Sequence, residues 1–142
     1  MKEKTKKIEL ATDRLIIRTP DESDAHDVFT LMSDLEIAAI TGFRPMSTLS
    51  EAEGKIRREM EGGLMFCISE KNFPEKVIGV FEVTPHKANT VSGEKCNYEI
   101  CYFLHKEARG KGCMTEVVDR MKRYLFDERM ADSLTIAVLP RN

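Results

Sequence analysis

The stretch "NYEICYFLHKEARGKGCMTEVV" occupies residues 97–118 and changes its hydrophobic pattern halfway along. Aromatic and aliphatic residues dominate residues 97–104, which predicts a strand. Gly110 and Gly112 follow, and glycine permits the unusual backbone angles of a tight turn. Beyond Gly112, apolar residues recur at helical spacing at Met114, Val117, Val118, Met121 and Leu125. The stretch therefore predicts a strand, a glycine-containing turn and an amphipathic helix.

One strand and two helices are predicted on the N-terminal side of this stretch. Residues 13–19 alternate between apolar and polar side chains, as a strand does. Asp21 is the predicted N-cap of a helix whose apolar face consists of Ala25, Val28, Phe29, Met32 and Leu35. Thr48 and Glu51 have the spacing of a capping box and predict the start of a second helix.

The remaining patterns complete a mixed sheet. Residues 64–69 and 76–84 predict strands that form hairpins with residues 97–104. The apolar run at residues 133–139 predicts a strand buried on both sides. This order predicts an α/β (α+β mixed sheet) fold, in which helices pack on a mostly antiparallel sheet with one parallel strand–helix–strand crossover. We expect residues 1–142 to form a single domain.

The composition is that of a water-soluble globular domain. The chain has 142 residues, of which 42% are hydrophobic and 32% charged, and its formal net charge is -2. This balance lacks the basic excess of a nucleic-acid-binding domain. No apolar run approaches the roughly 20 residues of a membrane-spanning helix, and the basic start lacks a signal-peptide core. We therefore predict a cytoplasmic protein without a nucleic-acid or membrane partner.

The four cysteines lack the close pairing of a zinc site. They are Cys67, Cys96, Cys101 and Cys113. Cys96 and Cys101 are the nearest pair, and their odd offset along one strand places them on opposite faces. We interpret the cysteines as small buried hydrophobic residues and predict no metal site.

The Gly-Lys-Gly turn has two interpretations from its local sequence. Gly110 and Gly112 allow a ligand to approach the backbone, and the helix that follows offers unpaired N–H groups and a partial positive charge. Together with Arg109 and Lys111, these features describe an anion site suited to phosphate. A Walker motif would need serine or threonine at Gly112, and a dinucleotide fingerprint would need glycine at Thr115. A plain surface turn is the alternative.

The wider context resembles a known motif. Residues 98–118, "YEICYFLHKEARGKGCMTEVV", resemble the acetyl-coenzyme A motif of the GNAT N-acetyltransferases. They are similar to the branch that acetylates ribosomal-protein N-termini, which typically reads "E-I-G-Y-x-L", a short loop and "G-K-G-x-A-T-E-A". Residues 11–25, "ATDRLIIRTPDESDA", resemble the start of that branch, commonly "T-x-R-L-x-L-R". The chain departs from the pattern at Glu107, Cys101 and Met114, where a Gln or Arg, a glycine and an alanine are usual.

The resemblance implies an enzyme that moves an acetyl group from acetyl-coenzyme A (acetyl-CoA) to a primary amine by direct attack on the thioester, without a metal. The acceptor would be a protein N-terminus or a small-molecule amine. Backbone N–H groups of the turn would bind the phosphates, and pantetheine would lie along the end of the strand. The implied coenzyme-binding residues are Phe103, Leu104, Arg109, Gly110, Lys111, Gly112, Cys113, Met114 and Asn142.

Glu99 is the candidate general base for this reaction. It shares a strand face with Cys101 and Phe103, so its surroundings should be partly apolar. Burial of this kind would raise its pKa toward that of a useful base. Alternatively, Glu99 is an exposed carboxylate or pairs with Arg18.

His105 and residues 41–45 each have a functional and a structural interpretation. His105 lies close to the turn and is interpreted as a cap or loop contact rather than a base. The stretch "TGFRP", residues 41–45, resembles the loop that lines the acceptor pocket, with Phe43 and Arg44 as candidate substrate contacts. A simple helix-breaking turn is the alternative.

The resemblance also implies elements beyond the end of this sequence. Family members continue after the strand at residues 133–139 with a helix opened by an asparagine, which Asn142 matches, and with two more strands. That segment usually carries the tyrosine that protonates the leaving thiolate. The alternative function is therefore a catalytically inactive acyl-CoA-binding or interaction protein. Two explanations are open for the edge of the strand at residues 133–139: a second copy covers it in a homodimer, or the chain is a truncated product.

Overall fold

The computed structural model describes residues 7–85, 97–129 and 131–136. These ranges contain one six-stranded sheet with the order β1-β2-β3-β4-β5-β6. The strands are β1 (Glu9–Ala11), β2 (Leu15–Arg18), β3 (Leu64–Glu70), β4 (Gly79–Pro85), β5 (Asn97–Leu104) and β6 (Ser133–Ile136). The helices are α1 (Ala25–Met32), α2 (Leu35–Thr41), α3 (Leu49–Met60) and α4 (Cys113–Asp127). Of these elements, β1 and α2 were not predicted from the sequence.

The sheet is antiparallel from β1 to β5, whereas β5 and β6 are parallel. α4 connects the parallel pair, because two parallel neighbours need a crossover between them. This arrangement confirms the predicted fold, a mostly antiparallel sheet with one parallel crossover and helices packed on it. β5 also has its predicted bounds, residues 97–104.

β6 is more exposed than its apolar sequence suggests. It forms the edge of the described sheet, and 45% of the Ile136 surface is exposed. The prediction of a strand buried on both sides is therefore wrong for Ser133–Ile136. Residues 137–139 of the predicted strand lie outside the described residues.

Helices cover both faces of the sheet. On one face, α4 packs against β2 to β5 through the buried side chains of Val117, Met121 and Leu125. On the other face, α1, α2 and α3 pack against Met65, Cys67, Val80 and Phe103. Successive residues of a strand point to opposite faces. Glu99 and Cys101 therefore lie on the same face as Phe103, which is the face of α1 to α3.

The first helical segment ends earlier than its hydrophobic pattern predicts. α1 stops at Met32, and the Asp34 side chain accepts hydrogen bonds from two N–H groups in the first turn of α2. Leu35 belongs to α2 and is 74% exposed, so its assignment to the apolar face of the first helix is wrong. α2 ends at Thr41 and is capped by Gly42, whose φ of 81° lies in the left-handed region typical of a helix C-terminus.

Candidate active site

The Gly-Lys-Gly turn leads directly into α4. Gly110 and Gly112 have φ angles of 79° and 77°, in the left-handed region that favours glycine. A Cβ added to Gly110 would meet no described atom within 4 Å, so backbone conformation rather than space requires glycine there. Gly112 is the N-cap of α4 and provides no side-chain cap, which leaves N–H groups of the first helical turn open to a ligand. The turn therefore has the geometry of an anion site.

An open groove of about 270 Å³ adjoins the turn at the end of β5. It is lined by Ile37, Ile40, Thr41, Tyr102, Phe103, Leu104, Arg109 and Met114. Among the described residues, β5 pairs with β6 only as far as Ile100. Tyr102, Phe103 and Leu104 line the groove beyond this pairing, so a ligand that lies along the end of β5 can contact their backbone groups. The groove brings together four predicted coenzyme-binding residues: Phe103, Leu104, Arg109 and Met114.

Arg109 connects the turn to two walls of this groove. Its Nε donates to the carbonyl oxygen of Leu104 at 3.1 Å, and its Nη1 donates to Glu36 Oε1 at 2.7 Å. Glu36 lies in the first turn of α2, and both side chains of the ion pair are partly exposed. The guanidinium is thus held where β5, α2 and the glycine turn meet, and it adds a positive charge beside the open N–H groups.

The other predicted coenzyme-binding residues differ in exposure. Lys111 is exposed and can extend its side chain toward a bound anion. Cys113, the first residue of α4, has its side chain buried in the core, so it can offer only its backbone to a ligand. Met114 is half-buried and forms part of the groove wall. Asn142 lies outside the described residues.

Arg14 and Glu116 hold the turn from the side of β2, a contact that the sequence patterns did not reveal. Arg14 Nη1 donates to the carbonyl oxygen of Lys111 at 3.0 Å, and its Nε donates to Glu116 Oε1 at 3.0 Å. Glu116 also accepts from the backbone N–H of Arg14 at 3.2 Å and from the hydroxyl of Thr12. Burial alone would raise the pKa of Glu116, but the hydrogen bonds from Thr12 and Arg14 outweigh it and lower that pKa. The carboxylate is therefore ionised at neutral pH.

Glu99 is exposed, so the expectation that it lies in a partly apolar environment is wrong. Its neighbours in the sheet are Thr84 of β4 and Thr135 of β6. The alternative ion pair with Arg18 is also wrong, because both Nη atoms of Arg18 donate to the Asp24 carboxylate. Burial therefore gives no support to Glu99 as a base, and its catalytic role stays a prediction.

Cys101 lies on the same face of β5, beside a partly buried charged cluster. Lys55 Nζ is 2.9 Å from Glu82 Oε1, an ion-pair distance without the alignment of a hydrogen bond. Burial, opposed by Lys55 and reinforced by Glu82, raises the pKa of Glu59 in this cluster. Burial and the carboxylates of Glu82 and Glu99 raise the pKa of the Cys101 thiol to about 11. Cys101 is therefore a neutral thiol at physiological pH and a poor nucleophile.

The loop after α2 contributes an aromatic contact to this region. Phe43 packs edge-on against Phe103, with ring centroids 5.6 Å apart and ring planes at 81°. Arg44 is exposed. His105 Nδ1 accepts a hydrogen bond from the N–H of Glu107 at 3.2 Å, which confirms its predicted role as a cap. Phe43 thus contacts a groove residue, whereas a substrate contact of Arg44 stays a prediction.

The cysteines do not cluster within the described residues. Cys67 and Cys113 are buried as predicted, Cys101 is half-buried, and Cys96 lies outside the described residues. In residues 7–85, 97–129 and 131–136, no group of three or more His, Cys, Asp or Glu side chains is arranged to hold a metal ion. No helix in the described part of the chain is long and apolar enough to cross a membrane.

Comparison with known proteins identifies the family. The family model of the acetyltransferase (GNAT) domain matches residues 14–142, which is most of the chain. The chain therefore belongs to the GNAT acetyltransferase family. The match confirms the resemblance to the GNAT acetyltransferases that was inferred from the glycine turn and the strand before it. No curated protein matches the chain in sequence.

Solved structures share this fold. The acetyltransferase (GNAT family) from Bacillus anthracis matches with a TM-score of 0.80 at 18% identity. The match covers 95% of this chain and 76% of that protein. The ribosomal-protein-S5-alanine acetyltransferase from Vibrio fischeri matches with a TM-score of 0.72 at 18% identity. The match covers 95% of this chain and 76% of that protein. The spermidine N-acetyltransferase from Vibrio cholerae, in complex with CoA and spermine, matches with a TM-score of 0.73 at 16% identity. The match covers 88% of this chain and 71% of that protein. At these identities the similarity establishes the fold, and the neighbours include the ribosomal-protein branch that the sequence resembles.

Proposed function

We propose that the protein transfers the acetyl group of acetyl-CoA to a primary amine. The observation that carries this proposal is the continuity of two features, the left-handed glycine turn on α4 and the groove along residues 101–104. The turn offers N–H groups to a pyrophosphate, and the end of β5 that lines the groove offers hydrogen-bonding groups to the amides of pantetheine. Acetyl-CoA carries these two parts in the same order. Membership of the GNAT family supports acetyl transfer as the reaction.

The groove residues have separate roles in this reaction. The N–H groups of residues 110–114 bind the phosphates, assisted by the side chains of Arg109 and Lys111. Pantetheine lies along residues 101–104, which places the thioester near Phe103 and Leu104, where a backbone N–H polarises its carbonyl. The amine nitrogen bonds to the carbonyl carbon, the C–S bond breaks, and the coenzyme leaves as a thiolate that is then protonated. Glu99, acting through a water molecule, is the proposed acceptor of the proton that the amine loses.

We infer that the acceptor amine approaches from the face of α1 to α3. Glu82 and Cys101 pair across β4 and β5 on this face, and Glu59 of α3 lies in the same charged cluster. The carboxylates of Glu59 and Glu82 can accept hydrogen bonds from a protonated amine, while Lys55 and Arg129 line the same cavity and offset their charge. The arrangement suits both acceptor classes, protein N-termini and small-molecule amines, and Phe43 and Arg44 are the proposed contacts on the loop after α2.

A binding assay paired with a turnover assay tests the proposal. Isothermal titration calorimetry should show that acetyl-CoA binds the purified protein. Release of free coenzyme thiol should then depend on an added amine, tested with a peptide that has a free N-terminus and with a polyamine. Binding without thiol release from any amine would favour the alternative, a catalytically inactive acyl-CoA-binding protein. Absence of binding would refute both functions.

Cys101→Ala should retain turnover, because a neutral thiol cannot serve as an acetyl carrier. Burial and the nearby carboxylates hold the pKa of Cys101 at about 11, far above the assay pH. Steady-state kinetics at varied acetyl-CoA and amine should give intersecting lines, the pattern of direct transfer in a ternary complex. Parallel lines together with inactivation by Cys101→Ala would show that an acetyl-cysteine forms, and would contradict direct attack.

Glu36→Gln should tighten the binding of acetyl-CoA about 2- to 5-fold at low salt. The substitution removes a negative charge near the phosphates and releases the Arg109 guanidinium from an ion pair at 2.7 Å. The gain should shrink as salt is added, since the charges are partly exposed. Calorimetry at two salt concentrations measures the change, with Glu53→Gln on the exposed surface of α3 as the charge-matched control. Weaker binding by Glu36→Gln would mean that the ion pair is needed to hold Arg109 in place.

The assembly and location of the protein are also proposals. We propose a homodimer in which a second copy covers the outer edge of β6, and the partly exposed Ile136 at the edge of the described sheet supports it. Light scattering at high micromolar concentration should give twice the monomer mass. A monomer at that concentration would exclude the dimer. The cytoplasm is the proposed location.

A further inference from the structure

We propose that Thr12, Arg14 and Glu116 form a brace that sets the conformation of the Gly-Lys-Gly turn, and that they act as positioning residues for the coenzyme. The inference rests on the proposed function, because it assigns these residues to the binding of acetyl-CoA. None of the three lines the groove along residues 101–104. Their effect on the ligand is therefore exerted through the backbone of the turn.

The brace acts on the peptide group between Lys111 and Gly112. Arg14 Nη1 donates to the carbonyl oxygen of Lys111 at 3.0 Å. In a planar trans peptide, that carbonyl and the N–H of the next residue point in opposite directions. A carbonyl held toward Arg14 therefore turns the N–H of Gly112 away from Arg14. Glycine samples many backbone angles, so the turn needs an external contact to stay in one conformation.

A single arginine fixes the turn relative to the helix. While Arg14 Nη1 bonds to the turn, its Nε bonds to Glu116 Oε1 on the first turn of α4 at 3.0 Å. The fork of the guanidinium makes both contacts at fixed angles, which a lysine ammonium cannot do. Glu116 Oε2 accepts from the Arg14 N–H and from the Thr12 hydroxyl, so the carboxylate is satisfied on both oxygens.

The brace stands on rigid backbone. Thr12 N donates to the carbonyl oxygen of Leu15 at 3.0 Å, and the Leu15 N–H donates back to the Thr12 hydroxyl at 3.0 Å, which closes the turn between β1 and β2. The carbonyl oxygen of Arg14 accepts from the Lys71 N–H at 2.9 Å at the end of β3. The start of β2 is thus tied to two neighbouring strands, and a side chain mounted there can hold the turn in place.

The brace joins the two sequence stretches that resemble the family motifs, residues 11–25 and residues 98–118. Thr12 and Arg14 come from the stretch "TDR", and Glu116 comes from "MTEV" after the glycine turn. The backbone N–H of Arg14 and the carboxylate of Glu116 are bonded although the residues are 102 positions apart. The ion pair is partly exposed, and exposed pairs contribute little to stability. Positioning of the turn is therefore a better account of the network than stabilisation of the fold.

Opposite signs of charge make the brace testable. Arg14→Ala removes a cation and Glu116→Gln removes an anion, so an effect of charge alone would weaken coenzyme binding in the first variant and tighten it in the second. Loss of the brace weakens binding in both, by about 10-fold, as expected when a turn that binds the ligand is misplaced. Arg14→Lys, which keeps the charge but not the fork, should restore only part of the affinity. The double variant should be no weaker than Arg14→Ala, because both changes break one unit.

The test uses calorimetry with acetyl-CoA, steady-state kinetics and amide NMR of the ligand-free protein. We expect a higher KM for acetyl-CoA with kcat and the acceptor KM within about 2-fold of wild type. Arg123→Ala, which breaks an exposed pair with Asp119 on α4, is the control and should leave the affinity unchanged. Glu116→Gln that binds as tightly as wild type, or full rescue by Arg14→Lys, would overturn the brace.

The NMR measurement separates the brace from the proposed function. In ligand-free Arg14→Ala, the amide resonances of residues 110–113 should shift or broaden, while those of β4 stay in place. Unchanged resonances in the turn would overturn the brace whether or not the coenzyme binds. If wild type does not bind acetyl-CoA, the proposed function fails, and the amide resonances still decide whether Arg14 holds the turn.

Discussion

Gly110→Val and Gly112→Val should each lower the affinity for acetyl-CoA about 100-fold. Both glycines have φ angles near 80°, and valine is strained in that region because its branched Cβ crowds the backbone. The turn would adopt another conformation and lose at least two hydrogen bonds between N–H groups and phosphate oxygens. Each bond of this charge-assisted kind contributes about 1.5 kcal/mol, so their loss corresponds to about 100-fold in the dissociation constant.

Lys111→Ala should weaken binding by only about 2- to 5-fold, because the exposed ammonium contributes through a solvent-screened contact. Gly62→Val is the matched control, since Gly62 lies outside the left-handed region and an added Cβ meets no described atom within 4 Å. Calorimetry with acetyl-CoA measures all four variants. Equal losses at Gly110, Lys111 and Gly112 would contradict the assignment of binding to the backbone.

Asp24→Ala should lower the free energy of unfolding by about 3 kcal/mol. Asp24 is 2% exposed, and its two carboxylate oxygens accept from Arg18 Nη1 and Nη2 at 2.7 and 2.8 Å. It also accepts from the backbone N–H of Asp21 at 2.7 Å, which closes the turn that leads from β2 into α1. The substitution leaves a partly buried guanidinium without its partner. Thermal unfolding followed by circular dichroism should show a Tm lower by roughly 10 °C.

Asp119→Ala is the control for this prediction. Asp119 pairs with Arg123 at 3.8 Å on the exposed surface of α4, where loss of the pair should leave the Tm unchanged. Replacing both partners of the buried pair, as Arg18→Met with Asp24→Leu, should recover part of the lost stability, since neither charge is then left alone. An Asp24→Ala protein with the Tm of wild type would show that solvent reaches the Arg18–Asp24 ion pair and that the pair does not stabilise the fold.

The strand, turn and helix at residues 97–127 could be predicted because their determinants are local. Aromatic and aliphatic residues end at Leu104, two glycines define the turn, and helical spacing continues to Leu125. Local signals also gave a wrong prediction where one helical pattern of apolar residues continued across the boundary between α1 and α2. Leu35 continues the spacing of α1, yet the Asp34 cap starts a new helix and leaves Leu35 exposed.

The contacts that shape the candidate site could not be predicted, because they join distant residues. Arg109 and Glu36 are 73 positions apart, and nothing in either local sequence indicates their ion pair. The exposure of Glu99 is a similar case. Alternation along β5 correctly placed it on the face of Cys101, but whether a helix covers that point depends on how α1 to α3 pack.

A crystal structure with coenzyme A tests the central claim most directly. Pyrophosphate oxygens should lie within about 3 Å of the backbone nitrogens of residues 110–114, and pantetheine should lie alongside residues 101–104 of β5. The sulfur should lie near Phe103 and Leu104, on the side from which an amine can reach it. A coenzyme bound elsewhere, with the Gly-Lys-Gly turn and the groove of β5 empty, would contradict the proposed coenzyme site.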